Sequence, residues 1–154
     1  MKPRYIRLFQ KMVRKAITGS QLINRNLFQN LLYRYPDWIG VNMLGKPKYI
    51  DKSCFFDEVD YGLITISENV VISKDVSILV HDYSISRAIK AIEHTESISE
   101  YYICKPSIIG VNSFIGLGTI ILPGAIIKEN TIIGAGSVVP GKELKSVLFM
   151  QAIH

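Results

Sequence analysis

From Ile103 onward an aliphatic residue returns every six positions: Ile103, Ile109, Ile115, Ile121, Ile127, Ile133 and Val139. Four places after most of these stands a small residue: Ser107, Ser113, Thr119, Ala125, Thr131 and Ser137. Glycine follows the aliphatic directly at Gly110, Gly116 and Gly134. Residues 103–144 thus form seven hexads without a slip. An earlier block keeps the same rule, with Ile66, Ile72 and Ile78 followed by Val70 and Val76 at the fourth place. Ile50 and Phe56 extend it backwards, but the interval from Ile50 to Ile66 is not a multiple of six. Asp60 would also point inward, so residues 57–65 are expected to leave the repeat.

A helix repeats at 3.6 residues and a flat strand at 2, and neither sustains six. A solenoid of very short strands joined by tight corners does. The aliphatic fills the interior of a narrow tube, and the small residue fits inside a corner where leucine would clash. Glycine is expected to relieve the backbone where the chain turns. Stacked coils then share backbone hydrogen bonds at a sheet spacing of about 4.8 Å. An ordinary β-sandwich is the alternative, and seven repeats in phase tell against it.

The charge is divided unevenly. Residues 1–48 hold ten Lys or Arg and one acid, Asp37, whereas residues 49–154 hold eight bases and twelve acids. A mildly acidic main body argues against nucleic acid as a partner. No apolar run approaches the roughly 18 residues that span a bilayer. The charged N-terminus, with Lys2, Arg4 and Arg7, does not read as a secretory signal. Two cysteines, Cys54 and Cys104, make neither a disulfide framework nor a zinc cluster, which predicts a reduced, cytosolic chain.

The basic segment reads as two helices. Pro3 suits a first helical position, and Ile6, Phe9, Val13, Ala16 and Ile17 then share one face. Gly19 and Ser20 are expected to break this helix and cap the next. Ile23, Leu27, Phe28, Leu31 and Leu32 give a second stripe, expected to end at Pro36. Such helices could plug the open end of the solenoid, whose strand edges need cover. The plug is the favoured reading, and it is compatible with residues 1–20 offering a basic face to an anionic membrane surface or an acidic glycan. The expected division is 1–45 basic helical segment, 46–147 solenoid, and 148–154 an atypical tail.

The repeat stops just after Val80-His81-Asp82-Tyr83 and resumes at Ile103, so residues 84–102 form an excursion in which "SRAIKAIEH" suits a short helix. Solenoids eject loops where it costs least, and function often sits there. His81 should point outward beneath this loop. Alone, it could equally be a solvated loop histidine.

The hexads resemble the left-handed β-helix acyltransferases over about residues 46–147. The closest pieces are "ITISENVVISKDVSILVHDYS" (64–84) and "IIGVNSFIGLGTIILPGAIIKENTIIGAGSVV" (108–139). The branch they resemble most is that of the maltose- and serine-acetyltransferase-related O-acetyltransferases of surface-polysaccharide biosynthesis. The resemblance implies an all-β solenoid, three hexads per triangular coil, and left-handed winding, an exception to the usual crossover hand. It also implies acetyl-CoA as co-substrate, a homotrimer, and His81 as the general base that takes a proton from an acceptor hydroxyl. Imidazole suits that role, because its ordinary pKa of about 6.5 leaves it able to accept at pH 7.

Asp82 would orient the ring or contact substrate, although adjacent residues on extended backbone point apart. Tyr83 and Arg87 are candidate acceptor contacts or structural residues. The resemblance places the CoA arm against Gly116, Gly134, Ala135 and Ser137, with Lys142 near the phosphates. The repeat itself demands most of these small residues. Some β-helix proteins are zinc carbonic anhydrases, but His81, His94 and His154 lack the spacing for a zinc site. No metal is expected.

The tail departs from the family. After Val139 the pattern usually runs through a Lys-Asp-Ile-Pro-like turn and Ser-Val-Val to Gly-Asn-Pro-Ala, whereas this chain has "GKELKSVLFMQAIH". Codons for Leu148 to His154 can be chosen that read Val-Tyr-Ala-Gly-Asn-Pro in another frame. These codons permit, without requiring, a frameshift near Val147 that truncated an ordinary family tail, and the gene sequence decides it. The function expected is acetyl transfer from acetyl-CoA to a sugar hydroxyl. A serine-type acceptor and a catalytically silent scaffold are the alternatives.

Overall fold

A computed structural model describes residues 4–20, 22, 24–93 and 100–144. Two helices come first, α1 (Arg4–Ser20) and α2 (Arg25–Ile39). Asn24, not Ser20, caps α2: its Oδ1 accepts the Leu27 N–H at 3.1 Å, satisfying one of the orphan donors of a helix start. The Ser20 hydroxyl instead donates back to the Ile17 carbonyl at 2.6 Å. Helix α2 also runs through Pro36 rather than ending there. It stops at Gly40, whose φ of 101° is open to glycine. Gly40 N–H then reaches the Asp37 carbonyl and Val41 N–H the Pro36 carbonyl, both at 3.0 Å. That is the paired closure of a left-handed helix end. Proline removes one internal hydrogen bond, but the closure further on sets the end.

The strands are β1 (Asn42–Leu44), β2 (Tyr49–Ile50), β3 (Phe55–Phe56), β4 (Ile64–Ser67), β5 (Val71–Ile72), β6 (Ser77–Ile78), β7 (His81–Asp82), β8 (Ile103–Cys104), β9 (Ser107–Ile109), β10 (Phe114–Ile115), β11 (Ile120–Ile121), β12 (Ile126–Ile127), β13 (Ile132–Ile133) and β14 (Val138–Val139). They make three parallel sheets, ordered β1-β4-β9-β12, β13-β10-β5-β2 and β14-β11-β6-β3. Each coil contributes one strand to each sheet, so the sheets are the faces of a three-sided, left-handed parallel β-helix. Ile109, Ile115 and Ile121 pair with Ile127, Ile133 and Val139, three hexads further on. All six are essentially fully buried, each worth about 1.5–3 kcal/mol of burial.

The small residues at the fourth place are buried at the corners, as the repeat predicts. Their hydroxyls are satisfied by the neighbouring backbone. Ser107 Oγ donates to the Leu79 carbonyl at 2.7 Å, and Ser113 Oγ to the Lys128 carbonyl at 2.9 Å. Glycine shares the turning role with asparagine and aspartate. The left-handed turns fall at Asn69, Asn112 and Asn130 on one corner (φ 57°, 56°, 56°) and at Asp75, Gly118 and Gly136 on the next (59°, 68°, 70°). Asparagine tolerates this region. Its amides also form a ladder along the prism, Asn69 Nδ2 to Asn112 Oδ1 at 2.7 Å and Asn112 Nδ2 to Asn130 Oδ1 at 2.8 Å. Gly116 is needed for another reason: a Cβ there would strike the backbone of Ala135 in the next coil.

Helix α2 covers the first coil. Ile39 and Val41 join the solenoid core, with Tyr35 packed against it. Ile17 of α1 packs with Phe28 and Leu32. Helix α2 thus packs on the solenoid core, and the first strand begins at Asn42.

The chain leaves the coils twice. Between Phe56 and Ile64 it makes a short 3-10 turn, Tyr61–Leu63, capped by Asp60, whose Oδ1 accepts the Gly62 N–H at 2.9 Å. After Val80 it leaves again through β7, which pairs antiparallel with the returning β8. Between them lies α3 (Ser84–Glu93). Ile103 therefore sits half-buried on the neck of this excursion instead of opening the run of interior aliphatics. Lys105 N–H meets the Val80 carbonyl at 2.9 Å, and the coil resumes at buried Ser107. Period alone could not separate the two, because the neck returns in phase.

Candidate active site

Asp57 follows Phe56 at the end of the first coil, and its N–H donates to the Ile78 carbonyl of the second at 3.0 Å. That register sets its carboxylate directly under the neck. Asp57 is only 2% exposed. Its Oδ2 accepts the backbone N–H of Val80 at 2.9 Å and of His81 at 3.2 Å. Its Oδ1 accepts the Val59 N–H at 3.2 Å. The same Oδ2 also meets His81 Nδ1. Backbone donors thus stabilise a buried carboxylate, which in turn fixes the ring; buried charge is tolerated only when paired in this way.

The His81 side chain stays 28% exposed. With Nδ1 engaged on Asp57, Nε2 is the nitrogen left to exchange protons, and it has no hydrogen-bond partner among the described residues. The ring is held in one orientation with one face of its chemistry open.

Asp82 is placed elsewhere. Its carboxylate accepts the Ser84 N–H at 2.8 Å and the Ser84 hydroxyl at 2.9 Å. These bonds, backbone first, hold its carboxyl below the ordinary range, with a smaller contribution from His81. The carboxylate that orients the ring is therefore Asp57, not Asp82. Alternation along the strand turns Asp82 away from its neighbour. The sequence offered one signal for Asp57: a carboxylate at the point where the repeat breaks after Phe56.

Tyr83 stands edge-on to His81, ring centroids 5.2 Å apart. Arg87 points to a different task. Its Nη2 donates to Glu100 Oε1 at 3.2 Å, and Lys90 Nζ donates to the same oxygen at 2.7 Å. The buried Ser86 hydroxyl donates to Glu100 Oε2. The Lys90 hydrogen bond, then that from Ser86, drops the Glu100 carboxyl from 4.5 to about 2. This clamp ties helix α3 to the returning chain. Cys104 lies opposite His81 across the neck. Burial, followed by Asp60 and Asp57, pushes its thiol up, so it stays a thiol at neutral pH.

The residues expected to line a CoA arm fall on two corners. Gly116 and Ala135 stack on the second corner, between the β10 and β13 side and the β11 and β14 side. Ser137 belongs to that corner but is buried, and its hydroxyl donates to the Gly134 carbonyl at 2.7 Å. It is a packing residue with no side-chain atom left for the outer surface. Exposed Lys142 belongs to the third corner, which His81 shares. There a Cβ on Gly124 would approach Lys105 at 3.0 Å and the Gly141 carbonyl at 3.3 Å. His94 and the 148–154 tail lie outside the described residues. Among the described residues no three metal-ligating side chains cluster, and no helix is long and apolar enough to cross a membrane.

No family model matches the sequence. A Schizosaccharomyces pombe protein named as an acetyltransferase is 33% identical over 103 residues, covering 65% of this chain and 44% of that protein. The galactoside O-acetyltransferase of Escherichia coli K12 is 33% identical over 81 residues, 53% of this chain and 36% of that one. The chain thus spans less than half the length of these curated relatives. Among solved structures, a maltose O-acetyltransferase from Clostridium difficile 630 superposes with a TM-score of 0.54 at 19% identity, covering 90% of this chain and 77% of that one. The chain is a left-handed hexapeptide-repeat β-helix, similar in sequence to proteins named as acetyltransferases.

Proposed function

We propose that this chain is an acetyl-CoA-dependent O-acetyltransferase acting on a sugar hydroxyl of a surface polysaccharide or its precursor. The observation that carries the reading is the Asp57–His81 pair at the mouth of the excursion. Asp57 keeps the proton on Nδ1, so the Nε2 lone pair faces outward. His81 takes the proton of the acceptor hydroxyl, and that oxygen attacks the thioester carbonyl. The tetrahedral adduct then collapses, the C–S bond breaks, and the thiolate leaves as the CoA thiol with the proton held on Nε2. No covalent enzyme intermediate is required. Exposed Lys105 and Lys142 on the same corner are suited to the CoA phosphates. Asp82 and Arg87 act in this reading through the excursion's geometry.

A homotrimer belongs to the same reading. Phe114, Leu117, Ile120, Ile132 and Val138 are exposed around the second corner, where Gly116, Gly134 and Ala135 also lie. An apolar surface of this kind suits a partner copy. That packing would bring one protomer's second corner to its neighbour's third, completing a CoA groove. A cytosolic location, with α1 near an anionic membrane face, completes the proposal.

The test is thiol release from acetyl-CoA with maltose, methyl β-galactoside or serine as acceptor. Acceptor-dependent release that falls about 10²-fold or more in His81→Ala supports the reading. Release with serine alone would shift the acceptor class. No release with any acceptor, or release indifferent to His81, would sink it.

A further inference from the structure

Three rings lie in sequence across the mouth of the excursion. His81 meets Tyr83 with planes at 73° and centroids 5.2 Å apart. Tyr83 in turn leans on Tyr102, 5.3 Å away at 40°. Tyr83 directly follows the outgoing strand β7, and Tyr102 returns just before β8. The Glu100 clamp, two residues upstream of Tyr102, holds that returning chain on α3 through Ser86, Arg87 and Lys90. The Ser86 hydroxyl also takes the Tyr101 N–H at 3.4 Å.

This anchoring serves two rings that contribute little burial. Tyr83 is 44% and Tyr102 55% exposed. Neither belongs to the core. A rigid, exposed pair of aromatic faces next to a proton-accepting imidazole has a defined chemical fit. A pyranose presents a patch of C–H groups on one face and hydroxyls around its rim. The patch lies flat on an aromatic ring while a rim hydroxyl reaches the imidazole. An open-chain acceptor such as serine has no such face.

The geometry points to Tyr83 and Tyr102 as the platform on which the acceptor's sugar ring stacks, with Tyr102 a specificity-determining residue that sequence reasoning did not single out. This rests on the O-acetyltransferase reading and narrows it to cyclic acceptors.

Tyr102→Ala and Tyr102→Trp test it with maltose, methyl β-galactoside and serine as acceptors. Removing the ring should raise the sugar KM about tenfold. The acetyl-CoA KM and the kcat at saturating sugar should stay unchanged. Tryptophan, which keeps a flat face, should stay within about threefold of the parent. An unchanged sugar KM, or an equal loss for serine and sugars, overturns the platform.

Saturation-transfer NMR with the same two sugars, without acetyl-CoA, gives a readout independent of turnover. Signals on one C–H face that vanish in Tyr102→Ala support the platform. A parent chain that binds neither sugar, or a Tyr102→Ala chain that binds them equally well, overturns it. Binding through Tyr102 without any acetyl transfer would refute the transferase reading and leave the platform standing.

Discussion

Asp57 and His81 lie 24 residues apart in the chain, yet the carboxylate of one coil meets the imidazole of the next. The same carboxylate oxygen also receives the backbone N–H of His81 and of Val80. Ring and backbone are thus positioned by one group, which makes Asp57 the test of how this site works.

Asp57→Asn should lower kcat by about 10²-fold or more, because an amide no longer favours the proton on Nδ1. The acetyl-CoA KM should hardly move. Asp82→Asn should change kcat by less than about threefold, since its carboxylate serves Ser84 and not the ring. Steady-state kinetics of the two variants distinguishes the roles; equal losses would contradict them.

Glu100 predicts an acid-resistant excursion. Its carboxyl is depressed to about 2 in the folded chain, against an ordinary 4.5. A depressed carboxyl contributes stability that is fully present above its unfolded pKa and lost as pH falls through the folded value. The clamp should therefore weaken only between about pH 4.5 and pH 2. Amide exchange in α3 should stay slow at pH 5, whereas Glu100→Gln should speed it at that pH. A parent chain already open at pH 5 would refute the clamp.

Ile115 fills the tube between Ile72 and Ile133 and is fully buried. Ile115→Ala should cost about 2–5 kcal/mol through lost burial and the cavity left behind. Denaturant unfolding with an unchanged m-value would check it.

Asn112 combines a left-handed backbone with two rungs of the amide ladder. Asn112→Gly should keep the turn and lose only the rungs. Asn112→Val adds the strain of a β-branched residue at positive φ and should be about 1–2 kcal/mol worse than Gly. Thermal unfolding of the pair separates strain from hydrogen bonding.

Helix α1 carries five basic residues and no acid, and Leu8 and Met12 are exposed on it. The chain should sediment with vesicles containing phosphatidylserine and not with neutral ones, and about 0.5 M salt should release it. Met12→Asp should abolish the binding. Equal binding to neutral vesicles would remove the electrostatic argument.

The hexad marked most of the interior of this protein. A side chain every six residues shares one environment in a solenoid of short strands, so Ile72, Ile109, Ile115 and Ile133 were legible as core, whereas the three sides were implied by the resemblance and are seen in the sheets. The break after Val80 likewise marked His81. Local chemistry was legible less well. The end of α2 passed Pro36 because a left-handed closure at Gly40 outweighs one missing hydrogen bond. Ile103 kept the beat although it lies on a neck, because phase counts residues and carries no record of where the chain travels between counts. Tertiary structure alone decided that Asp57, not Asp82, holds the ring, and that Glu100 sets Tyr102 beside Tyr83. Partners in successive coils, or on the two arms of an excursion, are joined by stacking register, and register is a property of the closed solenoid that no linear spacing records.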